Sequence, residues 1–141
     1  MSGGFDTELE AAGKRVPAGA RQHATAGPYS PVLVVDARRL VVISGQVAVD
    51  AEGAVVGASI EAQTTATLDN CRAQLASAGC DLADVFKVNI YLADLAHWAR
   101  FNAVYERAMP EPRPVRTAVQ AVLLPGFMVE IEMWAVQPGE Q

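Results

Sequence analysis

The stretch Val129-Glu130-Ile131-Glu132-Met133-Trp134-Ala135-Val136 alternates along its length. In an extended chain, alternate side chains fall on opposite faces. Val129, Ile131, Met133 and Ala135 therefore line one face, and Glu130, Glu132, Trp134 and Val136 the other. The first face belongs in a core. The second sets a tryptophan beside two carboxylates, a poor outer surface for a monomer. The pattern predicts a sheet covered on one side only, with its bare face packed against further copies of the chain.

Working back from this strand, Pro125-Gly126 reads as a turn and Arg116–Leu123 as the strand before it. The proline-rich link Pro110–Pro114 precedes that strand. A helix ends at Met109-Pro110, because a residue before proline disfavours the helical region. Its stripe is Trp98, Phe101, Tyr105 and Ala108, and Asp94 is placed to cap it. Val85–Leu92 alternates as another strand, with Val88, Ile90 and Leu92 inward. Before it, Ser59 can cap a helix carrying Glu61 in its first turn. Thr64, Leu68, Cys71, Leu75 and Ala78 form the buried stripe of that helix. Gly79 is placed to end it in the left-handed conformation. Val47–Val56 reads as an extended excursion turning at Asp50–Gly53. Val32–Asp36 and Leu40–Ser44 are expected to pair antiparallel across Ala37-Arg38-Arg39.

Strand–helix–strand crossovers are right-handed and join parallel strands, so two of them in the same sense set both helices on one face. The expected organisation is a leader at residues 1–26, weakly ordered or docked, a domain at 27–137, and a tail at 138–141. Phe5, Leu9 and Ala12 could share one face of a short helix in the leader.

The 141 residues suit about one domain. At 51% hydrophobic and 19% charged, the chain is unlike a disordered one, which is apolar-poor and highly charged. Eleven Lys and Arg against sixteen Asp and Glu give a net charge of -5, which disfavours nucleic acid as a partner. No apolar stretch approaches the ~18 residues of a membrane span, and no apolar block follows Lys14 and Arg15 as in a secretory signal. Cys71 and Cys80 lack metal-site spacing and read as reduced thiols in a cytoplasmic protein. His23 and His97 are isolated, so no metal site is expected, and no glycine-rich phosphate loop occurs.

Arg116 shares a face with Ala118, Gln120 and Val122. It either holds a small carboxylate, whose two oxygens match the paired guanidinium donors, or forms a structural ion pair with an acidic strand neighbour. Glu130 is expected to project into the same open-face region and to orient or deprotonate a water. Its alternative is a partner for a strand arginine, and Glu132 competes for either part. Tyr29 in Gly27-Pro28-Tyr29-Ser30, and Ser44 in Ser44-Gly45-Gln46, offer hydrogen-bonding groups near strand ends. Asn102 interrupts the stripe of the second helix.

Six segments occur in order between about Ala20 and Val136: Gly27-Pro-Tyr-Ser30, Ser44-Gly-Gln46, Glu61-Ala-Gln-Thr64, Asn102-Ala-Val-Tyr105, Pro114-Val-Arg-Thr117 and Val129-Glu-Ile-Glu132. Together they resemble the RidA/YjgF family of reactive-intermediate (enamine/imine) deaminases, also known as the endoribonuclease L-PSP family. The resemblance implies an α+β, chorismate-mutase-like mixed sheet with two helices on one face, a homotrimer, and clefts between subunits. It implies hydrolysis of 2-imino acids to 2-oxo acids and ammonia without a cofactor. Within it, Arg116 matches the arginine that binds the substrate carboxylate and Glu130 the glutamate associated with the attacking water. Tyr29, Ser44 and Asn102 match other cleft residues. Ala118 stands where many members carry cysteine, and the turn Leu124–Met128 looks shorter than the common Pro-Lys-containing version. Two other functions compete: a non-catalytic module binding small carboxylates, and an RNA-cleaving or translation-inhibiting protein.

Overall fold

In the computed structural model, residues 13–24 and 27–139 are described. The helix expected around Phe5, Leu9 and Ala12 lies outside them. A four-stranded sheet is built from β3 (Leu40–Gln46), β4 (Val85–Leu92), β5 (Val115–Gln120) and β6 (Val129–Val136), in the order β3-β6-β4-β5. β4 and β5 run parallel, and β6 is antiparallel to both β3 and β4. β3 and β4 are therefore parallel to each other, with β6 inserted between them. Two helices, α1 (Ile60–Ala76) and α2 (Trp98–Ala108), join these parallel strands and pack against each other. The architecture is α+β with a mixed sheet.

Local sequence accounts for the helix ends. The Ser59 side chain accepts from Ala62 N–H at 3.1 Å and satisfies one of the free donors of α1. Gly79 follows α1 at φ +74°, a conformation that favours glycine. Asp94 accepts from Ala96 N–H at 2.8 Å and starts the 3-10 turn Leu95–His97, which leads into α2. At the excursion after β3, Asp50 Oδ1 accepts from both Glu52 and Ala54 N–H, and Val49 bridges Val55.

Val129, Ile131, Met133 and Ala135 are fully buried, together with Val88, Ile90 and Leu92 of β4. Against them pack Leu68, Cys71 and Leu75 of α1 and Phe101 and Tyr105 of α2. Truncating Ile131 or Leu75 to alanine removes roughly 2–5 kcal/mol of stability. Among the described residues, no helix covers the opposite sheet face. Leu40 and Val42 stand exposed there, opposite Val136 and Trp134. Cys71 and Cys80 are free and buried. No helix among the described residues is long and apolar enough to cross a membrane.

One expected pairing does not occur. The Val32–Asp36 segment does not pair with Leu40–Ser44. Its core, β2 (Val34–Val35), pairs antiparallel with β1 (Lys14–Arg15), while β3 pairs with β6. The short Ala37–Arg39 link suggests a hairpin. Pairing β3 with β6 instead puts Val41 and Ile43 beside Ala135 and Met133, on the buried face of the sheet. Lys14 in β1 is buried, and its Nζ donates to Val85 O.

Candidate active site

Arg116 of β5 sits opposite Val88 in the parallel ladder with β4. Since Val88 is wholly buried toward the helices, Arg116 points into the helix layer and not onto the bare face. Four rings surround its guanidinium carbon: Tyr105 at 5.0 Å, Tyr29 and Trp98 at 5.4 Å, and Phe101 at 5.9 Å. Nε and both terminal nitrogens are buried and have no hydrogen-bond partner among the described residues. The structural ion pair with an acidic strand neighbour is therefore not formed. Burial pushes the guanidinium pKa below its usual range, and Tyr105 and Tyr29 partly oppose this. It remains cationic at neutral pH. Cation–π contacts recover part of the desolvation cost, but the fork of planar N–H donors meets no acceptor among the described residues.

Around this cation the chain comes close. A Cβ built on Gly27 would lie 2.9 Å from an Arg116 terminal nitrogen and 3.6 Å from Asn102 Nδ2. Asn102 Oδ1 and the Tyr105 hydroxyl are buried without hydrogen-bond partners among the described residues. Burial raises the Tyr105 pKa strongly, with Arg116 pulling the other way, so the hydroxyl is protonated. Arg116, Tyr29 and Asn102 thus lie close together, and Trp98, Phe101 and Tyr105 pack around the guanidinium. In the sequence these three aromatics form a helical stripe, and nothing in that spacing separates a core stripe from rings that enclose an arginine.

Glu130 is elsewhere. It sits opposite Tyr91 on β4 and beside buried neighbours Val129 and Ile131, so it points to the bare face. Its expected meeting with Arg116 in one open-face region does not occur within a protomer. The strand period of two fixes each residue's face, and the register places the two residues on opposite faces. Glu130 instead meets the Ser44-Gly45 segment. Between Ile43↔Met133 and Gln46↔Ile131, two β3 residues oppose one β6 residue, forming a β-bulge. There Glu130 crosses Gly45 so closely that a Cβ on Gly45 would be 3.0 Å from Glu130 Cδ and closer still to Oε2.

The two glutamates differ in their partners. Glu132 Oε1 accepts from Tyr91 Oη at 2.7 Å and Asn89 Nδ2 at 3.0 Å, and the bond to Glu132 raises the Tyr91 pKa. Glu130 has no side-chain hydrogen bond or ion pair among the described residues. Among them, no group of three His, Cys, Asp or Glu side chains is placed to hold a metal ion.

A single protomer therefore presents two separate groups of side chains. One is the buried Arg116 cation with Tyr29, Asn102, Trp98, Phe101 and Tyr105 on the helix side. The other is the Glu130 carboxylate over the Ser44-Gly45 bulge on the opposite face.

Comparison with known proteins agrees with the fold and with these segments. The family model for Endoribonuclease L-PSP matches residues 20–137, and the chain belongs to this family, the RidA/YjgF family. It is 37% identical over 126 residues to the 2-iminobutanoate/2-iminopropanoate deaminase of Capra hircus, covering 88% of this chain and 90% of that protein. Its structure is similar to that of NMB1025, a YjgF family member from Neisseria meningitidis. The TM-score is 0.66 at 30% identity, over 85% of this chain and 96% of that one. It is equally similar to a putative endoribonuclease of Thermotoga maritima, at TM-score 0.66 and 35% identity, over 88% and 97% of the two chains.

Proposed function

We propose that this protein hydrolyses reactive 2-imino acids, and the enamines in equilibrium with them, to 2-oxo acids and ammonia. The observation that carries the reading is the Arg116 guanidinium, buried among four rings with no hydrogen-bond partner for its three nitrogens among the described residues. A buried cation without a counter-ion is costly, and a small carboxylate supplies both the charge and the paired acceptors. The likeness to a 2-iminobutanoate/2-iminopropanoate deaminase supports the same substrate class.

The chemistry asks little more. An imine carbon is already electrophilic, so positioning and a water are sufficient. Arg116 holds the carboxylate, with Tyr29 and Asn102 lining the pocket. Glu130, beside Ser44, accepts a proton from water as its oxygen bonds to the imine carbon. Glu130 returns that proton to nitrogen to give the carbinolamine, and then passes the hydroxyl proton to the same nitrogen, so that the C–N bond breaks, ammonia departs and the C=O of the 2-oxo acid forms. The free buried thiols accord with action in a reducing, cytoplasmic compartment.

Because Arg116 and Glu130 face opposite sides of one sheet, the cleft is completed by a second protomer, and a cyclic homotrimer repeats that junction three times. The exposed Leu40 and Val42 of the bare face suit this packing. A protein that binds small carboxylates without turnover is the second reading, supported by the fact that Arg116, Tyr29 and Asn102 come together within one protomer. RNA cleavage is disfavoured by the net charge of -5.

The test mixes two variants of strongly reduced activity, Arg116→Ala and Glu130→Gln, by co-refolding, with ammonia release from freshly generated 2-iminobutyrate as the readout. Sites shared between protomers restore about a quarter of the wild-type activity on random equal mixing. A mixture no more active than the two variants overturns the shared cleft. A wild-type protein that binds 2-oxobutyrate but releases no ammonia from any imine overturns the reaction.

A further inference from the structure

Gln63, in the Glu61-Ala-Gln-Thr64 segment, has no part in the scheme above, yet its side chain is almost wholly buried. Its Nε2 donates to the carbonyls of Gly57 at 3.2 Å and Gly126 at 2.8 Å, and its Oε1 accepts from Met128 N–H at 2.8 Å. Both amide hydrogens and a carbonyl lone pair are committed. One side chain in the first turn of α1 thus grips the turn that feeds β6 at two points. The carbonyl of Met128 accepts from Ala93 N–H at 3.0 Å, so the residue that leads into β6 is held on both its N–H and its C=O.

Glu130 lies two residues beyond this clamp. Glu132 is held by Tyr91 and Asn89, but no side-chain hydrogen bond or ion pair among the described residues fixes Glu130. Its position depends on the course of β6 and on its contact with Gly45. Resting on the deaminase reading, we infer that Gln63 is a positioning residue for Glu130: by clamping Gly126 and Met128 it sets where β6 begins and so where the carboxylate stands over the bulge. It touches no substrate. It acts on the water-activating Glu130 and not on Arg116.

The experiment is a double-mutant cycle on the full chain, with kcat for 2-iminobutyrate hydrolysis taken per folded protomer. Gln63→Glu keeps the shape and the acceptor but replaces the donor that faces the carbonyls of Gly57 and Gly126 with a carboxylate oxygen. The expected result is a loss of about tenfold or more in kcat with Glu130 present, and of less than about twofold in a Glu130→Gln background. Inhibition by 2-oxobutyrate, which reports on Arg116, stays unchanged. A role confined to holding the fold together lowers activity by the same factor in both backgrounds, and that result overturns the inference, as does an unchanged kcat. If Gln63→Glu does not fold, Gln63→Met, of similar length and without either hydrogen-bonding group, is read in the same cycle by the same criteria. A wild-type protein without turnover removes the reaction itself and the inference with it, which separates the two failures.

Discussion

Glu130 lies across the backbone of Gly45, with its Cδ 3.0 Å from where a Cβ on that glycine would stand and its Cγ at 3.2 Å. The absence of a side chain at one bulge position is what lets the carboxylate rest there. The overlapping atoms belong to the far end of a flexible arm and not to the backbone, so a substitution displaces the arm and leaves the sheet in place.

Gly45→Ala therefore separates stability from activity. Its thermal unfolding should stay within about 1 kcal/mol of wild type, as for surface changes away from the core. Its kcat should fall by at least about tenfold as the carboxylate leaves its station. Wild-type turnover in this variant would show that the contact with Gly45 does not matter to the reaction.

Arg116→Met should separate the same properties in the other group of side chains. The methionine keeps an apolar contact with the four rings and removes a buried, unpaired charge, so stability is expected to be unchanged or to rise by up to about 2 kcal/mol. Two charge-assisted bonds to substrate, at roughly 1.5–3 kcal/mol each, are lost, so kcat/KM should drop by about a hundredfold or more. Strong destabilisation on denaturant titration would mean that the guanidinium has a structural partner.

Lys14 gives a pH signature. Burial lowers its pKa from 10.5 to about 8, against a smaller opposing pull from Asp84. The folded state releases this proton more readily than the unfolded chain, so below about pH 8 both states are charged and the folded one bears the full penalty. Stability then rises with pH between about 8 and 10.5, by at most about 3 kcal/mol. Cys71 acts the other way, since burial raises its thiol from 9.0 to about 12 and its contribution is lost as pH climbs above 9. Comparing Tm at pH 7 and pH 9 in wild type and Lys14→Met isolates the lysine. The wild type should gain and the variant should not.

The bare face should be sensitive to charge. Val42 is 58% exposed in a single protomer and sits opposite Trp134. Val42→Glu would place a carboxylate in the apolar part of the proposed junction. Sedimentation should then show monomers of unchanged far-UV circular dichroism, with turnover abolished because no cleft is complete. A monomeric variant with full activity would contradict the shared site.

Much of this was legible locally. The alternation of Val129–Val136 marked its buried face, the serine cap and Gly79 bounded α1, and Asp94 led into α2. These are properties of a few consecutive residues, and the hydrophobic effect enforces them wherever the segment ends up. The pairing of β3 was not legible, because a three-residue link suggests a hairpin and only the inserted β6 offers the deeper burial. Gln63 was visible merely as part of a recurring segment. A glutamine gives no sign of which backbone groups it will meet, and those it meets lie 6 to 65 residues away along the chain.

By itself, the order of residues determined the element types, the one-sided sheet, the family and the residues worth watching, all of which depend on spacing along the chain. Tertiary structure alone decided that Arg116 is buried among four rings with no counter-ion among the described residues and that Glu130 stands on the other side of the sheet. Which face a strand residue occupies depends on its register with neighbours far away in sequence, and a shift of one position would reverse it.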